Sequence, residues 1–140
     1  MFKKILLPVN PLKEEGGLIQ AAIDLAKELN AKVHIITFAL ENDGKKIVEL
    51  RRKAMEKYAK NCQKQGVTVT HELVRAKYKH DEVPQEIAKR AKKYDAVIVG
   101  HCKFSKIYRF VHQSTAQDLI NMAPCPVIVV TIGAFSKYEH

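Results

Sequence analysis

Cysteine is scarce and badly placed for a disulfide framework. The chain has 140 residues and only three cysteines, Cys62, Cys102 and Cys125, an odd number with wide gaps and no CxxC pair. That pattern excludes a disulfide-stapled secreted scaffold and points to a reducing compartment, the cytoplasm. Long apolar runs are also missing. Nothing approaches the roughly 18 residues of a membrane span. ILLPV near the start is too short for a signal peptide and runs into Asn-Pro and Lys-Glu-Glu. There is no internal repeat, linker or low-complexity stretch, so the chain reads as one domain over 1–140, with AFSKYEH from about residue 133 as a loosely held tail.

What is present is an ordinary globular balance, 46% hydrophobic and 28% charged, with a formal net charge of +9. The excess of basic residues is spread out. In KKIVELRRKAMEKYAKNCQKQ it alternates with Glu at helical spacing, as on a solvated helix face. Only KFSKIYRF interleaves basic and aromatic residues densely, and no recognised nucleic-acid module accompanies it. Nucleic acid is therefore a minor alternative as partner, whose binding would weaken steeply with salt.

The chain alternates between strand-like and helix-like segments. KKILLPV reads as a buried strand. GGLIQAAIDLAKELN places Leu18, Ala22, Leu25, Ala26 and Leu29 on one helical stripe and stops at Asn30. AKVHIITFAL is β-branched and apolar. A long helix is expected over about 44–65 with Ile47, Leu50, Ala54, Tyr58 and Cys62 inward, ended by Gly66. VTVTHELVR alternates, as a half-exposed or edge strand does. A helix opening at Val83-Pro84 turns Ile87, Ala88 and Ala91 to the core. DAVIVG reads as a doubly buried strand, STAQDLINMA as a helix and PCPVIVVTI as a fifth strand. This order predicts an α/β fold, a doubly wound parallel sheet of five strands with helices on both faces. Ligands of such sheets sit beyond the carboxyl ends of the strands where the strand order reverses, here at the loops starting at Asn10 and Gly100.

KKILLPVN, DAVIVG and the closing APCPVIVV, in this order and spacing, resemble the universal stress protein family up to about residue 132. The resemblance implies strand order 3-2-1-4-5 and a homodimer through the last strand. The apolar edge Val127, Ile128, Val129 and Val130 is one a monomer would have to protect. ATP-binding members carry G-x2-G-x9-G-S/T after the fourth strand and an aspartate after the first. On this chain those positions hold Gly100, Lys103, Gln113 and Ser114, and Asn10 for the aspartate. The adenine-contacting position on the second strand falls near Phe38. One of three glycines remains, so the backbone N–H groups lose the close approach to phosphate that glycine permits.

The resemblance thus implies a degenerate nucleotide cleft lined by Asn10, Phe38, Gly100, Lys103, Gln113, Ser114 and Thr115. It implies weak or absent ATP binding, no required cofactor, and a non-enzymatic module acting through protein contacts. The alternative is a nucleotide-binding switch in which Lys103, Lys106 and Arg109 replace the glycine loop. Each residue also has a simpler role. Ser114 with Gln117, or Thr115 with Asp118, fits a helix-capping box. His101, Cys102 and His112 match no common zinc spacing, and Cys102 lacks a group to orient a base for nucleophilic work. Asp24 and Glu28 form a solvent-facing helical pair, and His71 belongs on an exposed face.

Overall fold

The computed structural model describes residues 2–12, 15–102 and 115–132. Strand β1 (Lys4–Pro8) leads to helix α1 (Gly16–Leu29), and β2 (Lys32–Leu40) to α2 (Lys45–Lys64). Next come β3 (Val69–Tyr78), a 3-10 turn (His80–Glu82), α3 (Val83–Arg90) and a second 3-10 turn (Ala91–Lys93). Strand β4 (Ala96–Cys102), α4 (Thr115–Met122) and β5 (Val127–Ile132) close the described chain. The strands form one sheet in the order β3-β2-β1-β4-β5, all neighbours parallel. The order reverses at β1, between β2 and β4, which opens the crevice that such sheets use for ligands.

Both helix stops read from the sequence are real. Asn30 adopts the left-handed conformation at φ 53°, and the Ala31 N–H reaches back to the Ala26 carbonyl at 2.8 Å. Asn tolerates that region better than most residues, which is why it can end a helix. Gly66 sits at φ +88° just beyond α2, where a Cβ would strain the backbone.

The sheet separates two apolar layers. Ile5, Leu7, Val33, Ile35 and Ile98 pack under α1 and α2. Leu6, Ile36, Phe38, Val97 and Val99 pack with Ile87, Ala91 and Leu119 on the other side. The period of two along each strand produces this division, and burial of each large side chain contributes about 1.5–3 kcal/mol. The central strands are buried on both faces, as their unbroken apolar runs imply, whereas β3 forms one edge and β5 the other.

Two helical stripes differ from expectation. On α1 the buried set is Leu18, Ile19, Ala22, Ile23 and Ala26, while Leu29 is exposed. On α2 the buried set is Arg51, Met55, Ala59 and Cys62, and Leu50 is 52% exposed. The inward face of α2 is thus rotated by about one residue, because a buried arginine replaces an aliphatic residue at its start. Strand β4 also runs two residues further than DAVIVG suggested. Gly100 lies inside the strand, in register with Val130, instead of opening the loop.

Candidate functional site

Asn10 follows β1 at the carboxyl end of the sheet, and Asp43 follows β2 at the same end. Asp43 closes the turn after β2: its Oδ2 accepts the Leu40 N–H at 2.8 Å, and its own N–H donates to the Leu40 carbonyl at 2.9 Å. Two turns into α2, Arg51 comes back onto this corner. Its Nε donates to Asp43 Oδ2 at 2.7 Å, its Nη2 to Asp43 Oδ1 at 3.4 Å, and its Nη1 to Asn10 Oδ1 at 3.0 Å. The pair is buried, Arg51 at 4% exposure and Asp43 at 8%. Lys77 of β3 donates its Nζ to the Asp43 carbonyl at 2.7 Å. The Asn10 N–H in turn donates to Glu15 Oε1 at 2.7 Å.

The network joins β1, β2, α2 and β3 through polar contacts. Arginine has only donors, so the Asn10 carbonyl oxygen must be the atom facing it. One of that oxygen's two lone pairs is thus engaged by the protein. Burial by itself raises the Asp43 carboxyl, but the Arg51 hydrogen bond, the Leu40 N–H and the charges of Arg51 and Lys77 outweigh it and hold it below its ordinary value of 3.8. A carboxylate whose folded pKa is depressed stabilises the fold above its unfolded pKa, and that stability is lost as pH falls through the folded one. Urea unfolding should therefore show an acid limb beginning below about pH 4, and Asp43→Asn should reduce that limb. An acid limb equally steep in Asp43→Asn would assign it to other carboxylates.

Phe38 lies elsewhere. It is buried at 5% exposure in the layer beneath α3 and α4. Its ring meets Tyr78 edge-on, with centroids 5.6 Å apart, and the Arg90 guanidinium lies 5.9 Å from its centroid. The second-strand position is thus filled by packed protein, on the face of the sheet opposite α2. Gly100 stands on β4, and Thr115 begins α4. Lys103, Lys106, Arg109, His112, Gln113 and Ser114 lie outside the described residues. Of the expected site, the structure builds the Asn10 corner and assigns Phe38 to the core. Arg51 and Asp43 were missed by the sequence reading. Asn42-Asp43-Gly44 is a turn signature, but nothing in the sequence links it to an arginine two helical turns further on.

His34 carries a second polar group, near the amino ends of the strands. Its Nδ1 is 2.6 Å from Thr70 Oγ1, its Nε2 is 3.5 Å from Glu72, and its ring stacks on Tyr94. His71 is exposed, as its alternating strand implied, and Asp24 and Glu28 are exposed on α1.

A five-stranded parallel sheet reversing at β1, with polar side chains gathered beyond its carboxyl ends, defines a doubly wound α/β protein of the kind that holds ligands at a switch point. The universal stress protein family model matches residues 1–131, and the chain belongs to that family. It is 27% identical to a universal stress protein of Methanocaldococcus jannaschii, over 93% of this chain and 82% of that protein. Among solved structures it is similar to a universal stress protein from Archaeoglobus fulgidus, with a TM-score of 0.74, 18% identity and coverage of 92% of this chain and 98% of that one. The complex of the universal stress protein from that organism with dAMP gives a TM-score of 0.68 at 18% identity, with the same coverages. At these identities the two structures support the fold.

Proposed function

We propose that this protein is a dimeric, non-enzymatic universal stress protein of the cytoplasm that acts through protein contacts and binds ATP weakly or not at all. One observation carries the reading. Asn10, at the position of the family aspartate, gives its side-chain oxygen to buried Arg51 at 3.0 Å, so one of that oxygen's two lone pairs is committed to the protein and the charge of the family aspartate is missing. The packing of Phe38 beneath Arg90 supports it further. Replacement of two motif glycines by Lys103 and Gln113 removes the close backbone approach that a phosphate needs. On this reading Asn10 is tied to Arg51 and Phe38 belongs to the core, and the surfaces used for signalling are the protein's edges and helices. Among the described residues no helix is long and apolar enough to cross a membrane.

A nucleotide switch built on Lys103, Lys106 and Arg109 makes the opposite prediction. Melting curves with millimolar Mg-ATP, AMP or inorganic phosphate, each against a salt-matched control, separate the two. A ligand at a hundred times its dissociation constant adds about 2.7 kcal/mol, a shift of several degrees in a chain of this size. The proposal expects no ATP-specific shift in the wild type or in Lys103→Ala. A shift specific to ATP that Lys103→Ala abolishes would replace it with the switch.

A further inference from the structure

The amino ends of the strands, opposite the switch-point cleft, carry a shallow cavity of about 280 Å³. Lys4 and Lys32 line it and are register partners on β1 and β2. Lys32 and His34 are two apart on one strand and so share a face. His34 is in register with Thr70, and the second 3-10 turn delivers Lys93 and Tyr94 to the same rim. Like charges set directly opposite each other on neighbouring strands are destabilising. None of the three lysines is in an ion pair among the described residues.

Two acids stand nearby, and the charge of Asp95 also acts on Lys4. Asp95 Oδ2 accepts the backbone N–H groups of Lys3 and Lys4 at 2.8 and 2.9 Å. Glu72 is shared between Arg90, at 3.3 Å, and His34, at 3.5 Å. Besides Val33, Thr68 and Thr70, the wall holds an aromatic pair: the Tyr94 and His34 rings stack with centroids 5.9 Å apart and an interplanar angle of 19°. Three lysines around one cavity beside a stacked aromatic pair suit a ligand with an anionic head and a planar body. The cavity volume lies near the lower end of the range for small-molecule sites, about 300–1,000 Å³.

We infer that this cavity is a second binding site, separate from the cleft, for a small phosphomonoester carrying a single ring. The phosphate lies among Lys4, Lys32 and Lys93, where it offsets their mutual repulsion, and the ring lies against Tyr94. A phosphomonoester near neutral pH approaches two negative charges, which the excess of three lysines over the one facing carboxylate, Asp95, matches better than a singly charged ligand would.

The test uses phenyl phosphate as probe, titrated calorimetrically at low ionic strength so that screening does not hide the contacts. Phenyl phosphate should bind about tenfold more tightly than inorganic phosphate, the ring contact supplying the difference. Lys32→Gln should weaken phenyl phosphate about tenfold or more, the size expected for one charge-assisted hydrogen bond. The same variant without ligand should melt no lower than the wild type, because a like-charge contact is removed. Tyr94→Leu should leave phosphate binding in place and erase the preference for phenyl phosphate. Absence of binding to the wild type would overturn the inference, as would equal affinity in Lys32→Gln. Binding lost in Lys103→Ala and kept in Lys32→Gln would also overturn it by placing the anion in the cleft. Failure of the cleft reading leaves these outcomes unchanged.

Discussion

Replacing Arg51 with alanine should cost about 3–5 kcal/mol of folding stability, the penalty for leaving a buried carboxylate without its partner. The fold of an ordinary domain is held by only about 5–15 kcal/mol, so the variant should be barely folded at 37 °C. The size follows from what Arg51 touches. It neutralises Asp43 with two hydrogen bonds and holds Asn10 with a third, and the Arg51–Asp43 pair is almost wholly out of water. Without the guanidinium the Asp43 carboxyl keeps its burial and loses its main charge compensation, so its pKa must rise. Urea denaturation of Arg51→Ala and of the double variant Arg51→Met/Asp43→Asn distinguishes charge from packing. The double variant should regain part of the loss, since no uncompensated charge remains. A cost below about 1 kcal/mol for Arg51→Ala is the range of an exposed pair and would remove the network from the account.

Replacing Val129 with lysine should halve the mass of the particle in solution. Strand β5 is a sheet edge: its inner side pairs with β4, and no described strand lies on its outer side. Val129 is 36% exposed, whereas Val127 packs against the α3–α4 layer, and Ile128 and Val130 pack against the α1–α2 layer. Among the described side chains of the strand, Val129 is the apolar one that is exposed, while its apolar neighbours are anchored. An apolar edge with free N–H and C=O groups pairs with another chain unless charge or a covering element blocks it. Lysine at Val129 supplies that charge without disturbing the anchored neighbours. Light scattering behind size exclusion should find twice the chain mass for the wild type and a single chain for Val129→Lys. A monomeric wild type would refute dimerisation through β5, and an undiminished dimer in the variant would move the interface to another surface.

Most of the fold was legible because burial wrote it into the periodicity. ILLPV and AVIV are buried on both faces and read as unbroken apolar runs, and the alternation in VTVTHELVR matched the edge strand it became. Asn30 and Gly66 ended helices for reasons visible in single residues. The start of α2 was misread because a pattern of apolar residues cannot count an arginine as buried. Leu50 therefore took the inward place that belongs to Arg51. The candidate site shows the same limit. Asn10 was identifiable by its position after β1, but its partner lies 41 residues away, on a helix whose sequence looks solvated. The family resemblance alone places Phe38 near a cleft. Its side of the sheet depends on strand parity, and on β2 that parity places Phe38 with Ile36, beneath α3 and α4.

If the protein's own side chains close the nucleotide cleft, calorimetric titration of the purified wild type with Mg-ATP will register it. A closed cleft gives no heat of binding at concentrations where a dissociation constant of about 1 mM, equivalent to −4.1 kcal/mol, is detectable. Saturable binding at micromolar ATP, with one nucleotide per chain, is the opposite result and favours the nucleotide switch.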